Sequence, residues 1–437
     1  MEPHKNSAEI QGSESSAPAP VPPQQPPRRT KKWLLLGGLA LVLIGAVVLA
    51  IFLTRDRSHN TNQDTNGSAQ PPSAFLQQYG QNCQNKEVAF TSPPLKQDDL
   101  GYIRPLGAVS DGHVTPTDHV YVGPTNPSAA DNTYPVLMPA DGTVVQIDAM
   151  PAQYIGDRSG QQVAPDDHRI VIEHSCRYFS IYIHVHKLSD ALKAAAGDLQ
   201  PSQNKSVNVP LKAGDTVGYI GGSTFDWTPV DTTQTLKGFM TPKLYEGEPW
   251  KIHTVSPFDL YTGSLKTTLE AKSLRSVAPV GGKIDYDQAG KLVGNWFRHE
   301  TGGYAGNNKD SGGRYWDGHL SVAPDYIDPA STVVSIGNWT GSAAQFVVSG
   351  EANPARVDAT NGMVKYELKK LSYVTADNQP WSGNMFTTGV RPTQQGNIEG
   401  TIAFQVLPGE KLKVEKFPGK TAAQVTAFTD AAENYER

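Results

Sequence analysis

The sequence predicts a mostly β protein: a single N-terminal transmembrane helix, then an antiparallel β-sheet domain and a second all-β domain. Three observations predict it. Residues Trp33 to Leu53 form one apolar run without a charge. Beyond it, short runs of alternating apolar and polar residues lie between turn residues, in a chain with 41 glycines and 33 prolines. After Tyr261 the histidines thin out and tryptophans spread through further β-like runs, which marks a second domain.

The apolar run is long enough, as a helix, to rise about 30 Å and cross a hydrocarbon core. Arg28, Arg29, Lys31 and Lys32 precede it, whereas Arg55 and Arg57 follow with Asp56 between them. The heavier positive flank predicts a cytoplasmic N-terminus and extracytoplasmic C-terminal domains, on a single-pass protein of the cell membrane. A cleaved signal peptide is the competing interpretation. The length of chain ahead of the run and the lack of a small-x-small site before Arg55 favour an uncleaved anchor. Residues 1–32 read as a disordered tail; the proline-rich Ala17–Pro27 suits extended polyproline forms, as a docking motif or as solvated chain. Residues 54–84 read as a linker, polar through Ser58–Ser73.

The formal charge of −5, with basic residues scattered, excludes a general nucleic-acid or anionic-lipid surface. The two cysteines, Cys83 and Cys176, fall on the outer side, where an oxidising compartment permits them to pair or leaves two thiols.

Residues 85–265 form the first predicted domain. Val136–Met138, Asp141–Gly142 and Thr143–Ile147 read as strand, turn and strand. Arg169–His174 and Tyr178–His186 are two further strands. Ser189 caps a short helix over Asp190–Ala196 that Gly197 stops. Leu211–Gly222 reads as another hairpin, with Gly214–Asp215 near its turn. Residues 266–437 form the second domain, with β-like runs at Thr332–Ile336, Ala344–Val348, Val364–Leu368, Gly400–Val406 and Leu412–Val414. Among its aromatic residues, Trp296, Trp316, Trp339 and Trp381 are read mainly as core.

Seven of the eleven histidines lie between His113 and His253. In Ile181–His186 strand alternation puts Tyr182, His184 and His186 on one face, with His174 a cross-strand neighbour. That face is either the polar side of a half-exposed sheet or the wall of a groove. Upstream, His113, Asp118 and His119 bring a carboxylate between two imidazoles, the ligand types of a catalytic zinc. Lys251 and His253 close the series.

The order of these elements over residues 100–262 resembles the lysostaphin- or LytM-type zinc endopeptidases of bacterial cell walls. The matching features are the early His–Asp pair, Pro139–Val144, a strand with Tyr182–His184, the Gly214–Gly221 hairpin and a late H-x-H-like strand at Lys251–His253. The resemblance implies Zn2+ as cofactor, with His113, Asp118 and His253 as ligands and His119 in place of Asp118 as the alternative. It implies His184 as the residue that activates the zinc-bound water. It also marks a departure: Lys251 stands where the family has a histidine, offering positive charge to an oxyanion but no proton relay.

Two functions are expected from this. One is a membrane-anchored zinc metallopeptidase acting on cell-wall peptides. The other is a catalytically degenerate domain that binds peptidoglycan or a partner hydrolase. A third reading gives the function, as glycan binding, to the C-terminal tryptophans.

Overall fold

A computed structural model describes residues 74–80, 82–150, 166–306, 314–348 and 352–437. The first half is built from ten strands: β1 (Leu100–Arg104), β2 (Val120–Pro124), β3 (Tyr134–Leu137), β4 (Gly142–Ala149), β5 (His168–Glu173), β6 (Tyr178–Val185), β7 (Lys187–Leu188), β8 (Asn204–Leu211), β9 (Thr216–Ile220) and β10 (Phe225–Asp231). Seven make one sheet in the order β1-β2-β10-β6-β5-β4-β8, and β3, β9 and β7 make a small second sheet. Every pairing is antiparallel.

Alternation along the strands sorts side chains between two layers. Val120, Val144, Ile170, Ile172, Tyr182 and Trp227 enter the core between the sheets. Val171, Phe179, Ile181 and Val230 face the other way, where helix α1 (Ala74–Tyr79) covers them with Phe75 and Tyr79. A disulfide between Cys83 and Cys176 ties the chain after α1 to the β5–β6 turn. Helix α2 (Asp190–Ala196) follows β7 and ends at Gly197, whose φ of 73° suits a residue without Cβ.

The strands expected around Val136–Met138, Thr143–Ile147, Arg169–His174 and Tyr178–His186 form near those positions, whereas β1, β2 and β10 are not read from the sequence, and the pairings differ. β3 and β4 belong to different sheets, as do β8 and β9, so neither predicted hairpin forms. The turns between them carry the chain from one layer to the other.

The second half is a closed eight-stranded barrel, an architecture the sequence shows only as a run of strands. Its strands are β11 (Gly294–Arg298), β12 (His319–Pro324), β13 (Thr332–Ile336), β14 (Ala344–Val348), β15 (Val364–Val374), β16 (Arg391–Leu407), β17 (Lys411–Pro418) and β18 (Glu433–Glu436). Trp296, Trp339, Phe346, Tyr366 and Phe404 fill its interior. Closure pairs every strand on both sides and leaves no open edge. Pro71–Arg437 forms a single compact unit.

Among the described residues, no helix is long and apolar enough to cross a membrane. Helix α3 (Gly263–Glu270) has 8 residues, a rise of about 12 Å against the roughly 30 Å of a hydrocarbon core. The single-pass cell-membrane location expected from the sequence is corrected on this finding. The run Trp33–Leu53 and the tail and linker around it lie outside the described residues.

Candidate functional site

Strands β2, β10 and β6 lie side by side, so residues far apart in sequence meet at one end of the sheet. Asp226 on β10 is paired with Tyr121 on β2 and with Ile183 on β6. Its neighbours Phe225 and Trp227 enter the main core, which turns Asp226 to the opposite side. His119 immediately precedes β2. On β6 the register with β5 slips between His168 and Ile170, and His184 takes a φ of 68°. That bulge breaks the alternation expected for Tyr182 and His184. Tyr182 stays in the core and donates its hydroxyl to the Leu137 carbonyl at 3.1 Å. His184 is re-aimed toward Asp226, a left-handed conformation that is strained for a residue with a Cβ.

The result is a buried row in which acids and imidazoles alternate. Asp118 Oδ1 lies 3.2 Å from His119 Nδ1, and His119 Nε2 lies 3.4 Å from Asp226 Oδ2. The same Asp226 oxygen is 3.6 Å from His184 Nε2, and His184 Nδ1 is 2.8 Å from Asp167 Oδ2. Lys251 Nζ stands 3.9 Å from Asp118 Oδ1 with its side chain only 1% exposed. Trp250 Nε1 donates to the other Asp118 oxygen at 2.7 Å. His113 is on the preceding loop, its ring 5.4 Å from that of His119.

These neighbours set the protonation states. Burial by itself raises the Asp118 pKa, but the Lys251 charge and the His119 hydrogen bond outweigh it and hold the carboxyl well below the usual range. Burial works against a charged His119, yet the Asp226 and Asp118 carboxylates raise its pKa overall. His113 goes the other way, down to about 3, from burial and from repulsion by His119 and Lys251. Glu248, one turn before Lys251, is pushed up to about 7 by burial and by the nearby Asp118 charge.

The second half of the chain closes over this end of the sheet. The Lys251 ammonium lies 4.6 Å from the centre of the Tyr304 ring, and Glu248 hydrogen bonds the Tyr304 side chain. Trp316 covers Gly112, where a Cβ would come within 3.0 Å of the indole. Gln345 on β14 exchanges two hydrogen bonds with the backbone of Asp111.

Of the residues singled out by the sequence, Asp118, His119, His184 and Lys251 meet in one network, and His113 lies beside it. His253 is held by a different contact, Nδ1 to the Gln234 carbonyl at 2.5 Å. Lys251–His253, expected as a late strand, is a short 3₁₀ turn. The strand that lies between β2 and β6 is instead Phe225–Asp231. Sequence reasoning missed Asp226, Asp167, Glu248 and Trp250. Asp226 had a readable signal: a carboxylate between Phe225 and Trp227 in an apolar strand is costly to bury and needs a partner. His174, expected beside His184, is a core residue bonded to Ser180 Oγ at 3.0 Å and pushed down to about 4 by burial.

Among the described residues, no group of three or more His, Cys, Asp or Glu side chains could hold a metal ion. The chemistry agrees, because Asp118 has one oxygen between His119 and Lys251 and the other on the Trp250 N–H. As arranged, His113, Asp118, His119 and His253 do not fit a common ion.

No family model and no curated protein matches this sequence. The chain is similar to the NMR solution structure of lysostaphin, at 10% identity over 74% of this chain and 80% of that one, with a TM-score of 0.14. A likeness of that size carries no argument about fold or function.

Proposed function

We propose that this protein is a non-catalytic relative of the lysostaphin- and LytM-type endopeptidases, one that binds cell-wall peptides without cutting them. The observation that carries this reading is the pairing of Asp118 with the buried Lys251 and His119. A metal-ligating carboxylate must turn a lone pair to the ion, and here the Asp118 oxygens face the His119 imidazole, the Trp250 N–H and the Lys251 ammonium, whose positive charge 3.9 Å away opposes a cation. A buried, charge-compensated network of this kind holds the surrounding strands and loops in a fixed shape, which suits recognition better than turnover.

A purified full chain tests it when mixed with isolated peptidoglycan, with and without added zinc. The expected result is co-sedimentation with the wall and no soluble muropeptides under either condition. Release of muropeptides that requires zinc and disappears in His184→Ala overturns the proposal.

A second reading, the zinc endopeptidase, keeps one observation in its favour. His119 Nε2 and Asp226 Oδ1 are buried without a hydrogen-bond partner among the described residues, and both are ligand-type atoms. The Asp118 and Asp167 carboxylates behind the two imidazoles would then orient them from outside the ion.

A further inference from the structure

A cavity of about 440 Å³ opens on the α1 side of the seven-stranded sheet, away from the histidines. Its floor lies over a defect in the sheet. Val145 is the extra residue of β4 against β5, where Val144 and Gln146 face Ile172 and Val171; against β8 the extra residue lies on β8, where Val144 and Gln146 face Val209 and Ser206 with Val207 and Asn208 between them. Such a bulge bends the strand and re-aims its side chains. One wall carries Gln78, Tyr79, Asn82 and Gln84, the last two flanking Cys83, which its disulfide to Cys176 fastens to the sheet.

The lining has a definite chemistry. Five carboxamides reach it, from Gln78, Asn82, Gln84, Gln146 and Asn208, joined by the hydroxyls of Thr143 and Ser206. Each carboxamide both donates and accepts, as each hydroxyl does. Val145 and Val207 supply a small apolar area among them. Lys86 and Glu173 bring one charge of each sign, so the cavity favours neither anions nor cations.

We propose that this cavity is a binding site for a neutral, hydroxyl-rich saccharide. A sugar ring presents hydroxyl groups that donate and accept around its rim and C–H groups on its faces, which the amides and the two valines complement. The volume lies within the range of small-ligand sites. A peptide strand is the poorer occupant, because it would pair through its backbone with the edge of β8, whereas this cavity meets its ligand with side chains from the face of the sheet. The proposal goes beyond the reading of the histidine network and does not rest on it.

The test is a glycan array of neutral oligosaccharides probed with the full chain, followed by titration of the strongest binder. Gln84→Leu and Asn208→Leu serve as variants, since both side chains are exposed and their loss leaves the core intact. The expected result is saturable binding of a neutral saccharide, at least tenfold weaker in each variant, with unchanged melting temperatures. No bound neutral saccharide, or equal affinity in the variants, overturns the proposal. Either outcome is independent of whether the chain sediments with peptidoglycan.

Discussion

At the scale of single residues, Lys251 decides the character of the network. A lysine so thoroughly buried is tolerated because Asp118 and the Tyr304 ring face it. Lys251→Ala leaves Asp118 with less compensation, and a loss of about 3–5 kcal/mol is expected from breaking a buried pair, measured by denaturant unfolding. Lys251→Ala combined with Asp118→Asn should recover part of that loss. Glu248 gives a pH test. Its native pKa of about 7 exceeds the ordinary 4.5, so the native state holds a proton that the unfolded chain gives up. Its stabilising contribution is therefore full below about 4.5 and is lost as pH rises through about 7. Relative to Glu248→Gln, the wild type should lose melting temperature steadily from pH 5 to pH 8; parallel curves would contradict this. The sequence made the histidines, Asp118 and Lys251 legible as a polar group of chemical interest. It left Asp226 and Asp167 hidden, because a carboxylate becomes informative only when its strand neighbours are known.

At the scale of elements, the β6 bulge and the disulfide do most to place functional side chains. Strand positions could be read from alternation, and several bounds agree with the structure, including Thr332–Ile336 and Ala344–Val348. Pairing could not be read, since Gly142 and Gly214 mark turns without saying which sheet receives the next strand. The bulge at His184 was also invisible, because one extra residue leaves no mark in a run of alternating residues. The disulfide spans 93 positions. Chain-entropy reasoning gives about 4–5 kcal/mol for closing so long a loop. Cys83→Ser with Cys176→Ser should therefore lower stability by a few kcal/mol, and unchanged unfolding on reduction would contradict the estimate.

At the scale of the whole molecule, the barrel side completes the site. Tyr304, Trp316 and Gln345 come from the second half and close over the loop and turn that carry His113 and Lys251. The two halves should therefore unfold together. Calorimetry of a chain comprising Pro71–Arg437 is expected to show one transition, and Tyr304→Ala to lower its midpoint; two well-separated transitions would contradict this. The β-rich class was legible from turn residues and short runs. Barrel closure was not, because it depends on β18 returning to β11 across most of the second half.

The most direct measurement is the zinc content of the full chain, purified without chelator and with zinc supplied, read by elemental analysis. With Lys251 and His119 compensating Asp118, well under one zinc per chain is expected, together with a melting temperature that chelator does not change. One tightly held zinc per chain, lost in His119→Ala and stabilising the fold, would contradict the account.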